Sequence, residues 1–257
     1  ALWMEGVKQR GFQVGPQQTV AEWLDAAGQT GALRQHLWAP LCLAALNTPV
    51  ERASAQLFAN VLRDSLGSSR RADTDLLLPR VPFGELLPEP AERWLRPRGA
   101  ALRTACRVES IQPTDEGIKI DGEAFSAAIL ATAPQHAARL WPEMDAVYDY
   151  EPIATVYLQF SADTQLSFPL RSLSGGHGQW VVDRGDGLLA CVQSGHGDWA
   201  QLDDTALAAT LQAELGLGDQ ARWFRVVREK RATFSCRPGI PRPDCGTSSP
   251  QLFLAGD

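Results

Sequence analysis

The chain has 257 residues, 44% hydrophobic and 21% charged, with a formal net charge of −6 and a pI near 5.3. This is globular composition, long enough for one large domain or two small ones. The acidic balance excludes a nucleic-acid-binding surface built on a general basic field, and no apolar stretch reaches the roughly 18 residues that cross a bilayer. The five cysteines, Cys42, Cys106, Cys191, Cys236 and Cys245, are odd in number and lack CxxC spacing, so they read as free thiols in a reducing cytoplasm. The four histidines form no HxxxH or HExxH pattern, so no metal site is expected.

Helices come first along the chain. Thr19 and Glu22 have capping-box spacing, and Val20, Trp23 and Leu24 follow at helical intervals. Gly28 to Gly31 breaks that helix, and a second helical run covers Ala32 to Leu46. Thr48-Pro49-Val50-Glu51 then has the pattern of an N-cap, a first-turn proline and an early acid, which predicts a third helix ending at Gly67. Its expected apolar face is Ala53, Leu57, Val61 and Leu62. Leu76 to Pro79 and Val81 to Phe83 are extended, because a residue before proline avoids the helical region, and Glu89 to Leu95 reads as a short helix.

From Ala101 the pattern turns to strands. Cys106–Ile111, Gly117–Asp121 and Ala124–Leu130 read as a meander, followed by a short helix from Gln135 to Leu140. Ile153 to Phe160 alternates cleanly, with Ile153, Thr155, Tyr157 and Gln159 on one face and Ala154, Val156, Leu158 and Phe160 on the other. Strands at Gln179–Asp183 and Leu188–Gln193, a helix at Asp204–Leu215, and extended runs at Trp223–Val227 and Lys230–Phe234 complete the order. The fold class is α+β, with a helical block followed by an antiparallel or mixed sheet.

Common motifs carry little here. Gly216-Leu217-Gly218-Asp219-Gln220-Ala221 follows a helix rather than a strand, so it is a helix stop and not a dinucleotide fingerprint. The glycine clusters at 175–178 and 195–197 read as turns, and Ser194, His196 and Asp198 are too close in sequence to imply triad geometry. Two segments are richer. Trp38 to Pro49 is a dense apolar run that is either a core helix or the wall of an apolar pocket, with Asn47 as its isolated polar group. In Arg228 to Phe234 four charges lead into a strand, and an inward Lys230 or Arg231 needs an anionic partner. The chain begins Ala1-Leu2-Trp3-Met4 and closes on a strand-type run ending Gly256-Asp257; both ends read as internal to a longer protein.

Taken together these segments resemble the hydroxysqualene dehydroxylases, squalene-associated flavoproteins of hopanoid synthesis within the carotenoid-desaturase and amine-oxidase superfamily. The resemblance rests on Thr19–Leu24, Trp38–Ser54, Asn60–Ser65, Leu77–Val81, Tyr150–Leu158, Arg228–Phe234 and Leu252–Asp257. It implies FAD as cofactor, a C30 isoprenoid as substrate, and reductive removal of a hydroxyl. It also implies domains at 1–98 and 148–250 (substrate domain), 99–147 (part of a Rossmann-like FAD domain) and 251–257 (its returning strand). Val108 is then expected near the adenine, Ala133 and Pro134 at the strand end beside the cofactor, and Gly256 and Asp257 at its ribityl–pyrophosphate end. Trp38, Leu41, Cys42, Leu43, Asn47 and Tyr157 are expected to meet the substrate.

The acid is not identified by any motif; Asp64 and Asp73 are candidates because they flank the helical block, beside Lys230 and Arg231. The family's glycine-rich unit is not in this sequence, so the chain alone is expected to be inactive. Amine oxidases commonly place a lysine in the strand that is Ile153–Phe160 here, and this strand has none, which disfavours amine oxidation. A desaturase and a lipid-binding domain without flavin are the remaining alternatives, and a membrane surface is an expected partner.

Overall fold

The structure is a computed structural model that describes residues 2–68, 70–144, 148–173, 176–177 and 179–256. Along the chain lie α1 (Leu2–Gln9), α2 (Val20–Ala26), the single turn α3 (Gly31–Leu33), α4 (Ala39–Leu46), α5 (Ala55–Leu66), α6 (Phe83–Leu86) and α7 (Pro88–Leu95). Strands β1 (Ile111–Thr114), β2 (Gly117–Ile120), β3 (Glu123–Phe125) and β4 (Ala128–Leu130) precede α8 (Pro134–Leu140). Then come β5 (Tyr150–Gln159), β6 (Leu170–Ser172), β7 (Trp180–Asp183), β8 (Leu188–Ser194), α9 (Asp204–Leu215), β9 (Trp223–Phe234) and β10 (Leu252–Leu254). The chain separates into two compact units, Ala1–Gly67 with Val147–Pro241, and Ser68–Ala146 with Arg242–Asp257. The α+β class holds, and residues 68–98 group with the meander rather than with the helical block.

In the first unit α2 starts as its capping box dictates: Glu22 N–H donates to the Thr19 hydroxyl at 3.3 Å, and Thr19 N–H donates to the Glu22 carboxylate at 2.9 Å. The second helical run is not uniform. Arg34–Trp38 is a π-helical turn, with Ala39 N–H reaching back to the Arg34 carbonyl before α4 begins. Asn47 ends α4 in the left-handed region at φ 47°.

The expected helix start at Thr48-Pro49 does not form. The Thr48 hydroxyl instead donates to the Leu46 carbonyl at 2.9 Å and accepts Cys236 N–H at 2.9 Å, so it is unavailable as a cap. The helix begins six residues later under Ser54, whose hydroxyl accepts Leu57 N–H at 3.4 Å. Phe58, Ala59 and Leu62 of α5 are fully buried against Val20, Leu24, Trp38 and Cys42. Trp3 packs against Trp23 and Trp38 at ring distances of 4.9 and 5.0 Å.

The same unit holds a five-stranded antiparallel sheet in the order β6-β7-β8-β5-β9. Alternation in β5 sorts as expected. Ala154, Val156, Leu158 and Phe160 are buried with Leu207, Leu211 and Leu215 of α9, while Ile153, Thr155, Tyr157 and Gln159 face the other side and stay partly exposed. The two extended runs before and after Arg228 are one strand, β9, irregular opposite Pro152: Glu151 pairs with Thr233, but Ile153 pairs with Glu229.

In the second unit β1-β2-β3 form an antiparallel meander, and β4 pairs in parallel with β10. Two expectations are corrected. Residues 106–110 are not a strand, because the Asp121 carboxylate takes the N–H groups of Glu109 and Ser110 at 3.0 and 2.8 Å, where a neighbouring strand would otherwise bond them. The run Ala124–Leu130 is two strands: β3 stays with β2, and from Ala128, whose N–H donates to the Gln251 carbonyl at 2.8 Å, the chain joins β10. Ile118, Leu130, Leu140, Trp141, Met144 and Leu252 form the core of this unit. The expected turn at 175–178 falls partly outside the described residues.

Candidate functional site

The first unit brings the ends of β5, β8 and β9 together under the C-terminus of α4. The left-handed Asn47 turns its amide into this junction. Its Nδ2 donates to the Thr233 hydroxyl at 2.9 Å and the Glu151 carbonyl at 3.4 Å, and its Oδ1 accepts Gly195 N–H at 2.7 Å. One side chain thereby ties a helix end to three strands, which explains why a polar residue closes the apolar run.

Beside it lies Glu151, whose side chain is fully buried. The carboxylate accepts Arg52 Nη2 at 2.8 and 2.9 Å, the Ser235 hydroxyl at 2.7 Å and His196 N–H at 3.3 Å. The His196 ring sits over it, with Nε2 3.2 Å from the Tyr150 carbonyl and 3.8 Å from Glu151 Oε2. A buried carboxylate is stable only when its lone pairs are met by donors, and here they are.

Around α4 the sheet's partly exposed face forms a cavity of about 290 Å³. Its walls are Ala39, Pro40 and Leu43 of α4, Pro49 and Val50 of the following turn, and Leu173, Gln179 and Trp180 beside β7. A second cavity, about 540 Å³, lies between α1 and the π-helical turn against Trp3, Leu33, Leu37 and Trp38.

The six residues expected to meet a substrate lie in several different places. Leu43 lines the first cavity and Trp38 the second, where Trp38 also donates from Nε1 to Gln29 Oε1 at 3.2 Å. Leu41 packs on the helical core. Cys42 is core, fully buried, and burial with the nearby Cys236 thiol pushes its own thiol up to about 12. Asn47 is the junction residue described above, and Tyr157 stands on the partly exposed face of β5 between Ala190 and Arg225.

Among the charged candidates, Lys230 and Arg231 are both exposed, with the Arg231 guanidinium 5.6 Å from the Tyr150 ring centre. Asp64 lies on the surface paired with Arg63 at 2.8 Å, and that hydrogen bond holds its carboxyl below the usual range; it is a solvated carboxylate, unsuited to donating a proton. Asp73 accepts the Ser68 hydroxyl at 2.6 Å in the second unit. Ser194 is held through its backbone by Gln179 and faces no histidine nitrogen, so the Ser194–His196–Asp198 arrangement does not assemble.

The sequence reading missed Glu151, Arg52, Ser235 and Trp180. Arg52 and Glu151 are 99 residues apart, and only the fold reveals the pair. The available signal was a carboxylate directly before the alternating strand.

In the second unit the C-terminal ends of parallel β4 and β10 lie side by side. A Cβ on Gly256, just after β10, would collide with the Thr132 carbonyl, and the Thr132 hydroxyl is buried with no hydrogen-bond partner among the described residues. Ala133 caps α8 and Pro134 is its buried first residue, while Val108 packs on the meander core. Asp257 lies outside the described residues.

No protein-family model matches the chain. It is 28% identical over 251 residues to a hydroxysqualene dehydroxylase of Rhodopseudomonas palustris, covering 91% of this chain and 59% of that protein. A second hydroxysqualene dehydroxylase, from Sinorhizobium fredii, is 28% identical over 88% of this chain and 57% of its own length. The chain thus spans less than two thirds of the curated relatives it matches. Solved structures with the same fold include putrescine oxidase bound to putrescine (15% identity, TM-score 0.65, 94% of this chain and 62% of that one). Cyclohexylamine oxidase from Brevibacterium oxydans is another (12% identity, TM-score 0.64, again 94% and 62%). In sequence the chain is similar to two hydroxysqualene dehydroxylases, and its fold is like that of the two amine oxidases.

Proposed function

We propose that this chain is the substrate-side portion of an FAD-dependent oxidoreductase that reductively dehydroxylates hydroxysqualene to squalene in hopanoid synthesis. The observation that carries the proposal is the match to hydroxysqualene dehydroxylases over 91% of the chain.

The residues present fit one part of an FAD cradle. Ligands in parallel α/β sheets lie at the carboxyl ends of the strands, and β4 and β10 end together at the close approach of Gly256 to Thr132, whose buried hydroxyl has no partner among the described residues. Thr132, Ala133, Pro134 and Gly256 would hold it. When bound, FAD supplies hydride in its reduced form, so the balance is R–OH plus reduced flavin giving R–H, water and oxidised flavin.

The chain's own contribution is to bind and dry the substrate. The cavity beside α4 presents methyl and methylene groups to the hydrocarbon part of the substrate, and removal of water around the reacting carbon, outside that cavity, strengthens any charge interaction with a cationic centre formed as the hydroxyl leaves. Tyr157 offers an aromatic face for such a charge. Among the described residues no helix is long and apolar enough to cross a membrane. A cytoplasmic protein drawing its substrate from a membrane surface is the location proposed.

The test is product analysis. The protein carrying this chain, given hydroxysqualene, FAD and a reductant without oxygen, is expected to yield squalene. A product with new conjugated double bonds and its hydroxyl retained would establish the desaturase instead.

A further inference from the structure

The cavity beside α4 is closed by groups that offer a ligand almost nothing to hydrogen-bond. Its wall runs through Ala39, Pro40, Leu43, Pro49, Val50, Leu173 and Trp180. Gln179 also lines it, but its amide is spent at both ends: Oε1 accepts Ser194 N–H at 2.7 Å and Nε2 donates to the Ser194 carbonyl at 2.9 Å. Only its aliphatic stem remains for an occupant. Gln35 and Glu51 are exposed, and Glu51 is paired with Arg34 at 3.5 Å, so the polar groups stand where the cavity meets solvent.

Leu43 lines the cavity and packs against Gly195. Its Cδ1 lies 3.0 Å from where a Cβ on Gly195 would stand, and Gly195 is itself in the left-handed region at φ 69°. A side chain at 195 would crowd Leu43. The prolines at 40 and 49 make the walls stiff. At about 290 Å³ the cavity is too small for a C30 chain. Taking ~30 Å³, the liquid share of one water, as the space for one heavy atom, it admits on the order of ten.

We propose that this cavity is a site for the unfunctionalised end of a branched hydrocarbon chain, about two isoprene units deep, and that it excludes an oxygenated end. Among the described lining residues the polar side-chain groups left to an occupant are few, Gln35 and Glu51 at the rim and the Trp180 indole N–H, so a polar group carried past them is buried largely unpaired, which is unfavourable. The site thereby orients a longer chain: one terminus enters between α4 and β7, and the functional group stays outside. Identifying the chain as the isoprenoid substrate rests on the function proposed above; the preference for hydrocarbon rests on the cavity alone.

The experiment is a methyl NMR titration of the purified chain with 2,6-dimethyloctane, and separately with the same skeleton hydroxylated at both ends. The expected result is saturable shifts of the Ala39, Leu43, Val50 and Leu173 methyls by the hydrocarbon, and at least tenfold weaker binding of the diol. Leu43→Trp fills the cavity and is expected to raise the Kd at least tenfold. Ala39→Leu is the second variant should the first unfold, and unchanged shifts of the Leu207 and Leu211 methyls report an intact core. Equal affinity for hydrocarbon and diol, or shifts spread over other apolar surfaces and unaffected by either variant, would overturn the proposal. If the hydrocarbon binds here while the parent protein forms no squalene, the site stands and the reaction assignment fails.

Discussion

Removing Arg52 leaves the Glu151 carboxylate buried with, among the described residues, the Ser235 hydroxyl and His196 N–H as its hydrogen-bond donors. Breaking a buried pair from one side commonly costs ~3–5 kcal/mol; with Arg52 one third exposed the lower end applies, so Arg52→Met is expected to lose about 3 kcal/mol in urea unfolding. A change within ±0.5 kcal/mol would show the pair to be idle. Asp121 gives a pH-dependent counterpart. Its carboxyl is held below the usual range by the N–H groups of Ser110 and Glu109. A depressed carboxylate stabilises above its unfolded pKa, and that stability is lost as pH falls through its folded value. Amide exchange at 109 and 110 should therefore accelerate on acidification below the ordinary carboxylate range, and Asp121→Asn should remove that pH step.

At the scale of elements, what could be read from the sequence was whatever depends on neighbours within a few residues. The Thr19–Glu22 capping box, the Asp204–Leu215 helix and the two faces of β5 all stand as the pattern implies. The misreadings occurred where a distant partner captured a local signal. Thr48 looks like a cap, but Cys236 N–H takes its hydroxyl from 188 residues away. Ala124–Leu130 looks like one strand, but β10 recruits its second half. The real cap is Ser54, and Ser54→Ala should cost about 1 kcal/mol in thermal or urea unfolding, whereas Thr48 should act through Cys236 and not through α5. The same logic hid half of the candidate site. Leu43 and Asn47 were visible in an apolar run, while Trp180 and Glu151 join them only through the order β7-β8-β5.

At the scale of the molecule, the two units differ in how well they bury their apolar groups. The first holds two clusters, one among helices and one between sheet and α9. The second exposes Leu76 at 80%, Leu77 at 94% and Ile129 of its two-stranded parallel pair at 70%, although parallel strands are normally covered on both faces. Amide exchange should therefore be fastest in the second unit and slowest in β5, β8 and α9. The chain mixed with excess FAD and desalted is expected to retain little flavin, since its sequence has no glycine-rich unit between a strand and a helix to hold the pyrophosphate. Firm retention would show that the β4–β10 cradle suffices.

The protein carrying this chain is proposed to remove a hydroxyl at the expense of a reduced flavin. The direct measurement is a single-turnover experiment without oxygen, in which hydroxysqualene is added to the reduced, FAD-loaded protein carrying this chain. Oxidised-flavin absorbance is expected to return with formation of one equivalent of squalene. Absorbance that stays down with hydroxysqualene intact would contradict it.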